Sequence, residues 1–261
     1  MQPDKSAGTV PASPPPRSLE EAMAQMRDLR ARCDWDQVQT HTSLRPYLIE
    51  EAHEVDDAIA GGDDAVLRDE LGDLLLQILF HAVIAEERGA FDITQVAGAL
   101  VAKMRARHPH LYGDGVKRDW ESMKAPSRRS VDEGLPAGLP ALHRAQRLQD
   151  RAAGVGFDWP DSAGPLAKVR EETDEVSALI GSGASQAALE EECGDLLFAV
   201  VNLCRKLGVH GALALDKANA KFTARMAAMQ SLATARGLDF AALTLAEQDA
   251  LWDDVKAGVT R

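Results

Sequence analysis

Cysteine is scarce in this sequence and is not arranged in pairs. The three cysteines, Cys33, Cys193 and Cys204, form neither a CxxC motif nor an even-numbered framework. Small disulfide-rich domains depend on such a framework. The cysteine usage therefore fits a reducing compartment, and we expect a cytoplasmic protein.

Long apolar runs are also absent. No stretch is long enough to cross a bilayer, and the first residues, MQPDKSAGTVPASPPPRS, lack the apolar core of a signal peptide. The sequence therefore predicts a soluble protein with no membrane partner.

Positive charge is in deficit. The chain has 29 Lys and Arg against 41 Asp and Glu, which gives a net charge of −12. This balance opposes sequence-independent binding of nucleic acid or of an anionic membrane, because both repel a negative surface. A polyanionic substrate would need a local group of Lys and Arg side chains.

Alternation with a period of two, which marks half-buried strands, is not found either. Apolar residues instead recur at helical spacing, as at Leu48, Val55 and Ile59. Ser18, in SLEEAM, has the features of a helix N-cap, and Gly89 those of a C-cap. We therefore predict an all-α fold.

Two stretches with little to bury divide the chain. Residues 1–17 are rich in Pro, Ser and Gly and are predicted to be a disordered tail. Residues 113–140 combine Gly, Pro and mixed charges and are predicted to be a linker. The remaining residues form a first helical domain at 18–112 and a second at 141–261.

The two halves share landmarks in the same order. DW begins at 34 and 158, EExxE at 50 and 171, and ExGDLL at 70 and 192, while AKxxxR ends at 107 and 225. The shared order implies duplication. Because the spacing of about 120 residues is too long for a solenoid repeat, each copy is predicted to be a small helical domain.

The acidic motifs border apolar helix surfaces. Glu51 and Glu54 lie beside the apolar stripe of their helix. On the next helix, Glu70, Asp73 and Gln77 form a narrow polar strip, and the rest is so apolar that we expect this helix to be largely buried. Carboxylates that converge there repel one another unless a cation lies between them. Oxygen ligands of this kind favour Mg²⁺ or Mn²⁺, usually shared with substrate phosphates.

With these motifs in this order, the sequence resembles the MazG family of nucleoside triphosphate pyrophosphohydrolases, whose mark is EExxE followed by ExxD. The similarity spans residues 18–256 and includes CDWDQVQT, PYLIEEAHEV, DELGDLLLQILFHA, RHPHLY, GFDW, EECGDLLF and KANAKFTARM. It implies an all-α homodimer that uses Mg²⁺ or Mn²⁺ to split an NTP or dNTP into the monophosphate and pyrophosphate. The implied role is removal of excess or aberrant nucleotides.

The resemblance also implies the residues of the site. The implied metal ligands of the second half are Glu172, Glu175, Glu192 and Asp195, with Glu171 positioning ligands or the attacking water. Their first-half equivalents are Glu51, Glu54, Glu70 and Asp73, with Glu50. The implied contacts to triphosphate and nucleoside are Lys168, Lys217, Asn219, Lys221, Arg225, Trp252 and Lys256.

The two halves are not identical, although both keep their acidic positions. The first half has Val101 where the second has Asn219. In two-domain members of the family, hydrolysis is usually associated with the second domain. We therefore predict that the second half is catalytic and that the first is either a second catalytic site or a weak metal site.

Other readings of the acidic motifs are less well supported. A di-iron carboxylate bundle needs two ExxH steps, and the chain offers Glu50 with His53 but has Asp174 at the matching place in the second copy. A zinc protease is excluded because HEVDD lacks the second histidine of HExxH. The non-enzymatic alternative is a helical interaction module whose acidic stripes are plain surface.

Overall fold

The computed structural model describes residues 18–117, 121, 123 and 128–258. Throughout these residues the secondary structure is helical, with no strand. The chain divides into two compact units, residues 1–117 and residues 118–261. The prediction of an all-α fold is confirmed, and the tail predicted at residues 1–17 lies outside the described residues.

The helices of the first unit begin and end at the signals present in the sequence. They are α1 (Leu19–Arg32), α2 (Asp34–Gln37), α3 (Arg45–Gly61), α4 (Asp64–Glu87), α5 (Ile93–Arg107) and α6 (Pro109–Tyr112). Ser18 caps α1, because its hydroxyl accepts the Glu21 backbone N–H at 3.2 Å while the Glu21 carboxylate accepts the Ser18 N–H at 3.1 Å. Gly89 follows α4 with φ of 65°, a left-handed conformation that favours glycine. Both predicted caps are therefore confirmed.

The second unit has the same kind of helical organisation. Its described helices are α7 (Ala141–Gly154), α8 (Ala163–Leu179), α9 (Gln186–Lys206), α10 (Gly211–Ala235) and α11 (Leu245–Lys256), with a 3₁₀ turn at Phe240–Ala242. In each unit an EExxE helix packs against an ExGDLL helix, α3 against α4 and α8 against α9. These two helix pairs position the acidic motifs.

Each unit has its own apolar core. In the first, side chains of α1 and α4 meet, and the core residues are Met23, Met26, Leu44, Leu79, Phe80, Val83 and Ile84. In the second, α10 packs against α11 through Met229, Leu232, Ala233 and Leu251. Neither set of core residues includes a predicted carboxylate ligand.

Burial of the ExGDLL helix differs from the prediction. Leu71 and Ile78 of α4 are 48% and 43% exposed in the single chain, and Leu197 of α9 is 58% exposed. The buried part of α4 begins at Gln77, where the helix enters the core that it forms with α1. Gln77 is therefore buried rather than part of an accessible polar strip, and apolar surface is left uncovered on both helices.

Part of the segment predicted as a linker is held by the second unit. Glu121 is buried and pairs with Arg128 at 2.7 Å and with Arg147 of α7 at 2.5 Å. The composition of this segment, with its Gly, Pro and mixed charges, gave no sign of this ion-pair cluster. The described residues near the cluster therefore belong to the second unit.

The described helices are short or polar relative to a membrane span. None of them is by itself long and apolar enough to cross a bilayer. Only α9 and α10, taken together and bent by 103° at their junction, reach the required length and composition.

Two histidines join the loop before α3 to α4 in the first unit. Nδ1 of His41 lies 2.8 Å from Nδ1 of His81, and Arg88 donates to Nε2 of His41 at 3.1 Å. Since arginine has no acceptor, His41 must accept at Nε2 and donate from Nδ1 to a neutral His81. Burial, and then the proximity of the His41 ring, lowers the pKa of His81.

We expect His81→Gln to weaken the acid sensitivity of the first unit. The pKa of His81 lies below the ordinary value near 6.5, so the unfolded chain takes up a proton before the folded chain does. The stability of the wild-type protein is therefore retained above about pH 6.5 and lost as the pH falls through that value. Glutamine takes up no proton, so His81→Gln removes this contribution to the pH dependence. The urea unfolding midpoint, followed from pH 8 to pH 5, measures the change.

The matched control for this change is His53→Gln, an exposed histidine on α3. It should leave the pH dependence as in the wild type. An equally steep loss of stability in His81→Gln would show that the histidine pair does not set the acid sensitivity.

Candidate active site

Each helix pair brings three carboxylates together. In the first unit these are Glu51, Glu70 and Asp73, and in the second they are Glu172, Glu192 and Asp195. Within each group, one oxygen of every side chain lies within 4.8 Å of the others. The structure thus gathers three of the four ligands predicted for each half. We call these groups the first and the second acidic cluster.

The fourth predicted ligand of each half lies one helical turn after a member of its cluster. Glu175 follows Glu172 and Glu54 follows Glu51 on the same helix. The neighbouring carboxylate of Glu172, and then burial, raises the pKa of Glu175. Two adjacent carboxyl groups disfavour simultaneous charge.

A lysine distinguishes the second cluster from the first. Nζ of Lys168 lies 2.9 Å from the carboxylate of Glu171 and 2.5 Å from that of Glu172, and it lowers the pKa of Glu172. These carboxylates in turn raise the pKa of Lys168. At the matching position the first unit has Tyr47. The second cluster is therefore balanced in part by a lysine that the first unit does not have at the matching position.

The first cluster shows what happens without that balance. Burial, followed by the charges of Asp73 and Glu54, raises the pKa of Glu51. Burial, followed by the charge of Glu54, also raises the pKa of Glu70. Both shifts mean that the charged form is disfavoured until a cation is present.

The donor set of the second cluster fits a hard divalent cation. Glu172 is 3% exposed, and its Oε2 is buried with no hydrogen-bond partner among the described residues. A buried, unpartnered carboxylate oxygen is costly, and a cation is the partner that satisfies it best. Glu192 and Asp195 supply further oxygens at the same place. Carboxylate oxygens select Mg²⁺ or Mn²⁺ over metals that prefer nitrogen or sulfur.

A cavity of about 470 Å³ adjoins the second cluster. Its lining includes the charged side chains of Glu172, Asp195 and Lys168 and the aromatic side chains of Phe157 and Trp159, and we call it the aromatic cavity. A cavity lined by both charged and aromatic groups suits an amphipathic ligand such as a nucleotide. The motif GFDW contained this signal, but its spacing alone does not indicate that it reaches the carboxylates.

Polar side chains of α7 and α9 also face this cavity. Nε2 of Gln149 donates to the Phe198 carbonyl at 2.9 Å, so the buried Oε1 is left without a partner among the described residues. Asn202 accepts from Arg205 at 3.0 Å. Arg205 and Lys206 hold Asp158, the latter at 3.1 Å. Sequence reasoning missed Gln149, Asn202 and Arg205, because none belongs to an acidic motif.

The remaining predicted substrate contacts lie on α10 and α11. The guanidinium of Arg225 lies 5.2 Å from the ring centre of Trp252, which packs partly buried against the core of the second unit. Lys256 pairs with Asp253 at 3.7 Å. The other residues of this group, all on α10 and exposed, are Lys217, Asn219 and Lys221. Of the predicted substrate contacts, only Lys168 is among the described residues that line the cavity.

The di-iron reading finds no support in the first unit. His53 is exposed, and the gathered ligands among the described residues are all carboxylates. A carboxylate-only set is typical of Mg²⁺ or Mn²⁺ rather than of a site that needs histidine.

Two segments of the chain, residues 39–112 and residues 164–229, match the MazG nucleotide pyrophosphohydrolase domain. The chain is 42% identical over 247 residues to the nucleoside triphosphate pyrophosphohydrolase of Escherichia coli strain K12, which covers 90% of this chain and 94% of that protein. It is also 42% identical over 250 residues to the nucleoside triphosphate pyrophosphohydrolase/pyrophosphatase MazG of Thermotoga maritima, with 92% and 96% covered. A Mycobacterium tuberculosis nucleoside triphosphate pyrophosphohydrolase is 42% identical over 159 residues, 57% of this chain and 49% of that protein.

In the absence of metal, we expect Glu51→Gln to stabilise the protein and Glu172→Gln to destabilise it. Because the pKa of Glu51 is raised, its charge opposes folding above that pKa, and the amide should raise the unfolding midpoint at pH 7.5. Because Lys168 lowers the pKa of Glu172, that charge supports folding above the unfolded-state pKa and loses its effect as the pH falls. Its amide should lower the midpoint. Urea unfolding in EDTA measures both changes.

The control for these variants is Asp57→Asn, an exposed carboxylate on α3 outside the cluster. It should change the midpoint little. Midpoint shifts of the same sign in Glu51→Gln and Glu172→Gln would contradict the proposed difference between the clusters.

Proposed function

Because this chain belongs to the MazG family of nucleotide pyrophosphohydrolases, we propose that its second acidic cluster is the centre at which it hydrolyses nucleoside triphosphates. The reaction converts an NTP into the monophosphate and pyrophosphate. The observation that carries the assignment is the presence of Glu172, Asp195 and Lys168 in the lining of the same cavity as Phe157 and Trp159. That arrangement offers both a place for phosphates and a place for a nucleoside.

The proposed metal ligands are Glu172, Glu175, Glu192 and Asp195. A bound Mg²⁺ or Mn²⁺ would neutralise phosphate charge and lower the pKa of a coordinated water. The support for this assignment is the carboxylate-only donor set and the unpartnered Oε2 of Glu172.

Two side chains have proposed roles in the chemical step, one as a base and one as a cation for the phosphates. Glu171 is exposed beside Lys168 and is the proposed base that orients the attacking water and takes its proton. The water oxygen forms a bond to the α-phosphorus, and the bond from that phosphorus to the oxygen bridging to the β-phosphorus breaks. Lys168 is the proposed group that stabilises the negative charge on the phosphates, because its ammonium contacts the second cluster and its side chain lines the cavity.

The nucleoside is proposed to lie in the aromatic cavity. Phe157 and Trp159 offer apolar and aromatic surface for the base, while Oε1 of Gln149 offers a free acceptor for a base N–H. Asn202 and Arg205 complete the polar side. If a panel of NTPs and dNTPs reveals a substrate preference, these residues are the first candidates for substitution.

The first acidic cluster is proposed to be a weaker metal site. It keeps Glu51, Glu70 and Asp73 but has Tyr47 in place of the lysine and Val101 in place of Asn219. Without the lysine it lacks a group that could bridge from the carboxylates to a phosphate. We therefore assign turnover to the second unit.

We expect Asp195→Ala and Glu192→Gln to reduce NTP turnover by about a hundredfold or more, because each removes an oxygen from the proposed catalytic centre. The matching changes in the first unit, Asp73→Ala and Glu70→Gln, should reduce turnover much less. The measurement is steady-state pyrophosphate release at saturating Mg²⁺, repeated with a chelator, which should abolish it. Circular dichroism serves as the control for folding.

The turnover of the four variants distinguishes one working site from two. Equal losses from the two pairs of variants would indicate two working sites, and a loss only from the first pair would overturn the assignment. Full turnover in all four variants would contradict a catalytic role for these carboxylates, and absence of turnover in the wild type would favour the non-enzymatic helical module. Orthophosphate and a nucleoside diphosphate as products would contradict attack at the α-phosphorus.

The exposed apolar surface of α4 and α9 leads us to propose a homodimer. Leu71, Ile78 and Leu197 are each more than a third exposed in the single chain, and a small domain buries a limited fraction of its surface. Lys217 and Lys221 lie outside the lining of the cavity. A second copy would cover the apolar side chains and offer a route by which such cations reach the phosphates.

Sedimentation velocity at micromolar concentration tests the proposed dimer. We expect the mass of two chains, and we expect Leu197→Glu, which places a charge on the apolar surface, to shift the protein toward one chain and to lower turnover. Leu245→Glu, on an exposed leucine of α11, is the matched control. A fully active monomer would contradict the proposal.

A further inference from the structure

A smaller cavity of about 180 Å³ lies beside α7 in the second unit. Its volume is many times the space that one ordered water needs. Three arginines are among its lining residues and no acidic side chain is. The lining residues are Arg128, Arg129, Ser130, Val131, Arg151 and Val155. We call this space the basic cavity.

Arg151 is the most buried of the lining arginines, at 8% exposed. Its Nη1 donates to the carbonyls of Val131 at 2.9 Å and Glu133 at 2.8 Å. Its Nε is buried with no acceptor among the described residues. A buried guanidinium served only by neutral carbonyls is poorly compensated, since charged groups are normally paired when buried.

The carboxylates near the basic cavity pair with residues other than Arg151. Glu121 is shared between Arg128 and Arg147, Glu133 pairs with Arg129 at 3.4 Å, and Asp132 accepts the Ser130 hydroxyl at 2.6 Å. Among the described residues, none lies within ion-pair distance of Arg151. Burial, and then the charge of Arg128, lowers the pKa of Arg151, while the charges of Glu121 and Asp132 act in the opposite direction.

We propose that the basic cavity binds a phosphate-type oxyanion, either inorganic phosphate or pyrophosphate, between Arg151, Arg128 and Arg129. A tetrahedral oxyanion offers several acceptor oxygens, and the planar arginine fork matches them better than any other cationic side chain does. The anion supplies the negative charge that Arg151 lacks. Burial of Arg151 favours the bond further, because water competes less there.

The basic cavity and the aromatic cavity share Val131 in their linings. On α7, Arg151 faces the first and its neighbour Ala152 faces the second. An anion held by Arg128 and Arg151 therefore fixes residues 128–133 against α7 and keeps Val131 in the wall of the aromatic cavity. The effect on nucleotide binding rests on the proposed function, whereas the anion site itself does not.

Isothermal titration calorimetry of the full chain tests the site directly. Phosphate and pyrophosphate are titrated separately in EDTA, without Mg²⁺, at constant ionic strength. We expect saturable binding of about one anion per chain, the stoichiometry of one built site. Tighter binding of pyrophosphate would indicate that the site takes the product of the proposed reaction. Tighter binding of phosphate would indicate that it takes inorganic phosphate. Hydrogen exchange at residues 128–133 should slow when either anion is added.

Three variants separate a built site from general charge attraction. Arg151→Gln should weaken binding by about tenfold or more, because a charge-assisted hydrogen bond is lost. Arg129→Gln removes an exposed side chain that lines the cavity and should weaken binding about threefold without affecting the fold. Arg144→Gln, an exposed arginine on the same helix outside the lining, should leave binding unchanged.

The proposal is overturned if the wild-type chain shows no saturable binding, or if Arg129→Gln and Arg144→Gln weaken it equally. Arg129→Gln keeps the test decisive if Arg151→Gln fails to fold. Because binding is measured without Mg²⁺ or nucleotide, loss of the anion site is distinguishable from loss of hydrolytic activity.

Discussion

Carboxylates at the edge of an apolar helix layer require positive charge close by. In each unit, two packed helices gather three carboxylates within one small volume. In the second unit Lys168 supplies part of the charge, through Glu171 and Glu172. The proposed cation supplies the rest, and the same cation and lysine then serve the substrate phosphates. The clustered carboxylates, which destabilise the metal-free fold, are thus the groups that the proposed reaction uses.

Duplication has let the two clusters diverge while the helix framework stayed the same. The first keeps its carboxylates but lacks the lysine, so burial and repulsion raise the pKa of Glu51 and Glu70. The second combines a compensated cluster with a cavity that reaches Phe157 and Trp159. The proposed assignment of turnover to the second unit therefore rests on the groups that surround its carboxylate motif, not on the motif itself.

The sequence predicted those parts of the structure that depend on local chemistry. Helical spacing, the capping box at Ser18 and the glycine after α4 indicated the helices correctly, because these signals act within one turn. Burial of α4 was overestimated, since periodicity marks an apolar face but does not say whether the same chain covers it. Gln149, Asn202 and Arg151 escaped notice because their roles depend on contacts between helices far apart in the sequence.

The most direct test of this account is Mn²⁺ affinity in Lys168→Met without nucleotide, measured by electron paramagnetic resonance. If Lys168 and the cation compete for the charge of Glu172, removal of the lysine should tighten Mn²⁺ binding about tenfold, the effect of one close ion pair. Lys217→Met, on the exposed face of α10, should bind Mn²⁺ as the wild type does. Unchanged or weaker Mn²⁺ binding in Lys168→Met would contradict the account.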